Sequence, residues 1–302
     1  MNEGYLYIRM NPTRAETPLE IGVCPSRPER VSPDHPPTDA PRVIFDAAVP
    51  DMRQAEAVIR SILGAHRSEE DGKGYRLPVD DAVRTVRDVA ERLHRIAVFR
   101  RAAAAEPDNA AAFNNLGCGL DGIGDHGAAI EAFKRAVALD GTNPVFFSNL
   151  GCNYGKLGLY RKAIDAFREA IRLRPDFIKA HFDLGFSYGK LGRHRQAADA
   201  FQRAIAIDPG VAQLHYHLGH ACARLGLQRD SLRAFAEAVR VNPNHVNAHY
   251  RLGLAHLRAR NREAALKQYR ILRSLDDEKS LRLFRRIYRQ YGHPETRSAR
   301  SS

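Results

Sequence analysis

A dipeptide that recurs at a fixed spacing constrains this chain more than any other feature. In one frame Leu-Gly recurs five times at steps of 34 residues, with the leucines at Leu116, Leu150, Leu184, Leu218 and Leu252. A unit of this length that has been copied can bury its apolar side chains only against the next copy. The period therefore predicts a solenoid of stacked units between residues 110 and 279.

The other recurring residues predict that each unit is a pair of helices. An aromatic residue follows each Leu-Gly in the same frame, at Phe133, Phe167, Phe201, Phe235 and Tyr269. A glycine comes before each of four second helices, at Gly124, Gly158, Gly192 and Gly226. A proline ends three units, at Pro175, Pro209 and Pro243. We expect the Leu-Gly glycine to let the neighbouring helix approach closely, the second glycine to break the chain and proline to stop the second helix.

This combination of residues resembles the tetratricopeptide repeat (TPR) family. The stretch looks like five repeats, which begin at Ala110, Pro144, Ile178, Ala212 and Val246. The departures lie in the terminal units, at Gly141, Arg260, Leu272 and Asp277. Terminal units are expected to be atypical because one of their faces meets solvent or another domain. The resemblance implies a mainly α fold, a right-handed superhelix of helix pairs.

The first 78 residues predict a small α/β domain ahead of the solenoid. Runs of β-forming residues and one helical stripe occur at 4–8, 19–22, 43–45 and 52–63, with a proline-rich loop at 25–41. The motifs in order are Gly4-Tyr5-Leu6-Tyr7, Asn11-Pro12, Ile21-Gly22, Arg30 and Glu56. This order resembles the GIY-YIG nuclease superfamily, especially its phage-associated branch.

That resemblance implies phosphodiester cleavage with a Mg²⁺ ion. The catalytic roles would fall on Tyr7 and Arg30, and the metal ligand on Glu56. Glu20 stands where the family has a second tyrosine, and a carboxylate repels the scissile phosphate unless a metal intervenes. In the alternative interpretation these residues are ordinary strand, loop and helix-surface side chains. Residues 1–78 also carry more acidic than basic side chains, which disfavours nucleic-acid binding.

Helices are also predicted on both sides of the repeats. Residues 79–109 hold an apolar stripe without an internal glycine or proline before residue 107, which predicts a long linking and capping helix. Residues 280–291 place Phe284, Ile287 and Tyr288 opposite a row of arginines, which predicts an amphipathic capping helix. Residues 292–302 are expected to be disordered.

Composition excludes several classes of function. No apolar run is long enough for a membrane span, and Met1–Met10 lacks the features of a signal peptide, so we expect a cytoplasmic protein. The four cysteines show no CxxC spacing, which predicts reduced thiols and no zinc site. No nucleotide-binding or triad motif occurs in the solenoid. We therefore expect no cofactor, apart from Mg²⁺ if the N-terminal domain is a nuclease.

The TPR resemblance implies a concave groove lined by the first helices, with positions 2, 5, 6, 9 and 13 of each repeat facing the ligand. Position 13 gives a basic column of Lys156, Lys190, Arg224 and Arg258. Positions 5 and 6 add Asn115, Asn149, Phe182, Tyr216, His217, Tyr250 and Arg251. Cations beside aromatic surface suit an extended acidic peptide. The alternative is that the column only solvates the helix ends.

Two functions follow from these patterns. The first is a protein-protein interaction scaffold or adaptor that binds an extended, acidic peptide or protein partner. The second is a Mg²⁺-dependent nuclease targeted by its solenoid, with nucleic acid as a less favoured partner. His217 and His220 share a helix face and could hold a metal, but packing in the groove wall is the favoured role because no carboxylate or thiol accompanies them.

Overall fold

The structure is a computed structural model that describes residues 3–10, 19–26, 28, 42–66, 74–75 and 78–291. It divides into two compact units, Met1–Gly141 and Thr142–Ser302. Arg30, most of the proline-rich loop and the tail 292–302 lie outside the described residues.

A four-stranded antiparallel sheet lies at the start of the first unit. Its strands are β1 (Gly4–Met10), β2 (Leu19–Cys24), β3 (Arg42–Val49) and β4 (Gly74–Tyr75), in the order β3-β1-β2-β4. The three predicted strands are confirmed. The two-residue β4 was not predicted, because a strand this short has no periodicity to detect. Side chains alternate along β1, so Leu6 and Ile8 are fully buried on one face of the sheet.

Two helices cover this buried face. They are α1 (Met52–Leu63) and α2 (Val79–Ala105), and the side chain of Asp51 caps the first by accepting a hydrogen bond from the Gln54 amide. Val86, Val89 and Leu93 of α2 lie in the same apolar core as Leu6 and Ile8. The core of the sheet therefore continues past residue 78, where the predicted α/β domain ends.

The first unit ends in one helix pair. This pair consists of α3 (Ala110–Gly122) and α4 (His126–Leu139). The C-terminal half of α2 packs closely on α3. A Cβ atom on Gly119 of α3 would lie only 3.0 Å from Ile96 and 3.2 Å from Phe99 of α2. The long helix predicted before the repeats is thus one continuous helix that contacts both the sheet and the first repeat.

Four helix pairs and a final helix form the second unit. The first helices are α5 (Pro144–Lys156), α7 (Ile178–Lys190), α9 (Ala212–Arg224) and α11 (Val246–Arg258). The second helices are α6 (Tyr160–Leu173), α8 (His194–Ile207), α10 (Gln228–Val241) and α12 (Arg262–Leu275). Each first helix begins at the residue that the repeat predicts.

Close contact between the two helices of a pair depends on the Leu-Gly glycine. A Cβ atom on Gly151 would lie 2.7 Å from the ring of Phe167, and one on Gly185 would lie 2.8 Å from Phe201. Both distances are shorter than any normal carbon contact. The predicted role of this glycine is therefore confirmed, and its partner is the aromatic residue that recurs 16 positions later.

The turn within each pair needs a left-handed residue. Gly158, Gly192 and Gly226 have φ angles of 74°, 72° and 77°. Arg260 takes the same place in the last repeat with φ 56°, and no other non-glycine residue in the described ranges has a positive φ. The last turn is therefore strained where the predicted glycine is missing.

Helix α13 (Asp277–Tyr291) closes the solenoid and begins three residues before the predicted capping helix. Leu283 and Ile287 are fully buried, and Leu283 meets Gly253 in place of the aromatic partner found in the other repeats. The arginines on the opposite face are exposed, as predicted, at Arg282, Arg285, Arg286 and Arg289. The terminal unit is atypical because this helix covers it.

Candidate functional site

The predicted basic column lies at the ends of the first helices. Lys156, Lys190, Arg224 and Arg258 are the last residues of α5, α7, α9 and α11, and all four are exposed. A cation at a helix C-terminus is favoured by the helix dipole, so part of the reason for this column is structural. The structure brings three of the four cations to the rims of two cavities on one side of the second unit.

The first cavity is aromatic and has a volume of about 300 Å³. Phe186, Phe201 and Tyr216 contribute its apolar surface. Lys190 also lines it, with its ammonium group 5.2 Å from the centre of the Phe186 ring. Phe186 is 42% exposed, which is unusual for a phenylalanine and leaves much of its ring open to a ligand. This cavity can take an apolar side chain beside a positive charge.

His217 forms the wall between these aromatic side chains. Its ring stacks on Phe201 at 5.5 Å and meets Phe182 edge-on at 5.2 Å. Burial, followed by the nearby His220 and His245, lowers the pKa of His217 to about 4. The imidazole is therefore neutral at pH 7 and acts as an aromatic surface, not as a cation.

The second cavity is cationic and has a volume of about 480 Å³. Arg224, Arg251 and Arg258 line it together with His194 and His220, and none of its lining residues is acidic. Arg224 donates a hydrogen bond from Nε to Nε2 of His194 at 3.3 Å. Burial and then the positive charges of Arg251 and Arg224 lower the pKa of His220. The cavity is thus a concentration of positive charge without a counter-ion among its lining residues.

The remaining predicted groove residues lie in three different settings. Asn115 is exposed on α3 in the first unit. Asn149 is half-buried on α5, and its carbonyl accepts a hydrogen bond from the Asn153 side chain at 3.1 Å. Tyr250 is half-buried and packs against the core formed by α11, α12 and α13. The structure therefore brings Phe182, Tyr216 and His217 together and places Tyr250 nearer the capping helix.

Three other histidines connect each first helix to the preceding turn. His181, His215 and His249 are buried, and their Nε2 atoms lie 2.8, 2.9 and 2.8 Å from the carbonyl oxygens of Pro175, Pro209 and Pro243. A carbonyl can only accept, so Nε2 carries the proton in all three. These three histidines therefore have a packing role. Within the described ranges, no group of three or more His, Cys, Asp or Glu residues could hold a metal ion.

The nuclease candidates of the first unit are only partly brought together. The Tyr7 hydroxyl donates a hydrogen bond to Oε1 of Glu20 at 2.7 Å, and its ring lies over Gly22. Burial and then this hydrogen bond raise the pKa of Tyr7 to about 12, so the phenol keeps its proton. A protonated phenol is a poor general base.

Glu56 lies on α1, which packs against the sheet face formed by Leu6 and Ile8. Because side chains alternate along a strand, Tyr7 is on the opposite face. The Glu56 carboxylate also pairs with Arg60 at 2.5 Å, and Mg²⁺ would have to displace that guanidinium. Arg30 lies outside the described residues, so catalysis stays a prediction.

Sequence reasoning missed two kinds of groove residue. Position 9 was expected to face the ligand, but its residues Phe186 and Leu254 were not singled out, and both line the cavities together with His220. The spacing that identified positions 5, 6 and 13 would have found them. His194 lines both cavities from the start of a second helix, and no first-helix pattern could have indicated it.

Comparisons with known proteins agree with this architecture. The tetratricopeptide repeat family model matches residues 96–144, 148–210, 183–228 and 224–279, which is more than half of the chain. No curated protein matches. No helix in the described part of the chain is both long and apolar enough to cross a membrane. The resemblance of residues 1–78 to the GIY-YIG superfamily stays a prediction.

Solved structures with similar folds are also repeat proteins. A crystal structure of MamA is 26% identical, covers 55% of this chain and 96% of its own, and has a TM-score of 0.52. YrrB, described as a TPR protein with an unusual peptide-binding site, is 23% identical, with coverages of 62% and 97% and a TM-score of 0.54. MamA from Desulfovibrio magneticus RS-1 is 21% identical, with coverages of 56% and 96% and a TM-score of 0.53. The chain belongs to the tetratricopeptide repeat family.

Proposed function

We propose that this protein is an interaction scaffold whose second unit holds an extended acidic segment of a partner protein along α5, α7, α9 and α11. The observation that carries the proposal is the juxtaposition of the exposed basic column with an open aromatic cavity beside Lys190. An acidic segment with one apolar side chain would satisfy both features. The peptide-binding site named for YrrB is consistent with such a role.

The positive charge of the column favours a negatively charged partner and orients it along the first helices. Four cations at steps of 34 residues produce a summed positive potential, which raises the rate of encounter with an acidic chain. Each exposed ion pair contributes only about 0.2–1 kcal/mol. Loss of one cation should therefore have a small effect, and loss of all four should cost about 1–4 kcal/mol, by simple addition of the single values.

The proposal is tested by selecting peptides from a random displayed library with the full chain. We expect the selected peptides to be rich in Asp and Glu. Their affinity should fall at least about fivefold, which corresponds to about 1 kcal/mol, for the quadruple variant with glutamine at Lys156, Lys190, Arg224 and Arg258. The matched control removes four exposed arginines from second helices, at Arg161, Arg229, Arg270 and Arg273.

Helicity should stay the same in both variants. Peptides without acidic enrichment, or equal losses in the two variants, would show that the column only solvates the helix ends. A nuclease activity of the first unit stays a prediction, as does the cytoplasmic location expected from the sequence.

A further inference from the structure

Two cavities of the second unit adjoin, and their chemistry is different. Gly189, His194 and His220 line both of them. The aromatic cavity therefore continues directly into the cationic cavity. A single ligand segment that enters one cavity can reach the other with a neighbouring residue.

The cationic cavity has more positive charge than an ordinary groove position. Its three guanidinium groups come from two consecutive repeats, with Arg224 on α9 and Arg251 and Arg258 on α11. Among the described residues none of the three forms a salt bridge. Elsewhere in the second unit Arg172, Arg233 and Arg240 each pair with a carboxylate one helical turn away. The cavity arginines lack such a partner, so their charge is available to a ligand.

A phosphorylated side chain matches this cavity better than a single carboxylate. A phosphate monoester carries a charge of about −1.5 to −2 at pH 7 and has three strong acceptor oxygens. Guanidinium groups bind phosphate in a bidentate manner, and a phosphate opposite an arginine cluster can accept about one to three charge-assisted hydrogen bonds. The volume of about 480 Å³ also exceeds what one carboxylate would fill.

We propose that Arg224, Arg251 and Arg258 form a binding pocket for a phosphoserine or phosphothreonine of the partner segment, with an apolar residue of the same segment in the adjoining aromatic cavity. This inference rests on the proposed function, and it makes that function dependent on phosphorylation of the partner. Burial and then the positive charges of Arg251 and Arg224 lower the pKa of His220, and a bound dianion would neutralise those charges.

The experiment uses the full chain and three degenerate peptide libraries with a fixed central residue: phosphothreonine, threonine or glutamate. Binding is measured by fluorescence anisotropy at fixed ionic strength. We expect the phosphothreonine library to bind at least tenfold more tightly than the other two. The preference should disappear in Arg251→Gln/Arg258→Gln. It should remain in the charge-matched control Arg270→Gln/Arg273→Gln, whose side chains are exposed on α12.

Four outcomes separate the interpretations. Equal binding of the glutamate and phosphothreonine libraries overturns the phosphate pocket and leaves the acidic-peptide function standing. No binding of any library contradicts both. Tighter binding of a labelled single-stranded oligonucleotide, lost in Arg251→Gln/Arg258→Gln, assigns the cavity to a nucleic-acid backbone and overturns the proposal. If the α12 control also loses the preference, binding depends only on the net charge of the protein, and the phosphate pocket is overturned.

Discussion

The packing role of the Leu-Gly glycine can be tested by its replacement with alanine, with a second glycine of the same helix as the control. Helix α5 contains both Gly151 and Gly155. A Cβ atom on Gly151 would lie 2.7, 2.9 and 3.0 Å from three ring atoms of Phe167, whereas one on Gly155 would have no atom within 4 Å. Alanine at either position raises helix propensity by about 1 kcal/mol. Only at Gly151 does the new methyl group overlap a neighbour.

The overlap cannot be relieved cheaply. Phe167 is 1% exposed, so its ring has no open space into which to move. Overpacking of this kind costs about 1–3 kcal/mol. We therefore expect Gly155→Ala to stabilise the protein by about 0.5–1 kcal/mol, since the position is open. Gly151→Ala should be less stable than Gly155→Ala by about 1–3 kcal/mol, because helix propensity cancels in that difference.

Urea unfolding of the full chain, followed by far-ultraviolet circular dichroism, measures both changes. Hydrogen exchange of α5 and α6 shows whether the loss is local, as expected for a repeat protein. When Phe167 is already replaced by Leu, Gly151→Ala should destabilise the protein less than it does in the wild-type chain, because the smaller side chain leaves room for the methyl group. If Gly151→Ala is as stable as Gly155→Ala, the glycine is not required for close approach of the two helices, and the packing argument fails.

Three further predictions concern other parts of the second unit. Leu150→Ala and Phe167→Ala should each destabilise it by about 2–5 kcal/mol, because these side chains are 8% and 1% exposed; unchanged melting curves would show that the repeat register is wrong. Arg260→Gly should raise the melting temperature, with a gain of about 0.5–1 kcal/mol from relief of the positive φ; a lower melting temperature would argue against strain there. His217 has a pKa of about 4 in the folded protein and near 6.5 in the unfolded chain. Between these two pH values the unfolded chain binds more protons, so the free energy of unfolding falls as the pH drops from 6.5 towards 4. At pH 5 the loss should be about 1–2 kcal/mol after allowance for partial exposure, and His217→Phe should have a flatter pH profile; identical profiles would contradict this assignment.

The sequence predicts the solenoid well because one pattern is copied. A single repeat gives the place of Gly185 and Phe201, and the units that contain Gly117, Gly151 and Gly219 repeat the same contact. The end of the solenoid follows a different rule. Leu283 takes the place of the aromatic partner, and it comes from a helix outside the repeat period. Such a substitution depends on tertiary packing and leaves no periodic signal.

The candidate site could be predicted only in part. Position 13 identified the exposed cations, because a period of 34 residues aligns them on successive first helices. The sequence could not show that His217 is neutral, since its pKa depends on burial among Phe182 and Phe201. Nor could it show that His194 of a second helix reaches the same cavities.

The position of the ligand tests the central claim most directly. A photo-reactive benzoylphenylalanine can be placed at Phe186, which lines the aromatic cavity, or at Leu227, which lines a cavity on another face of the same unit. The two side chains have similar exposures of 42% and 46%. With an acidic peptide selected by the full chain, we predict crosslinking at position 186 that excess unlabelled peptide abolishes, and none at position 227. Equal crosslinking at both positions, or crosslinking at 227 alone, would contradict a binding groove along the first helices.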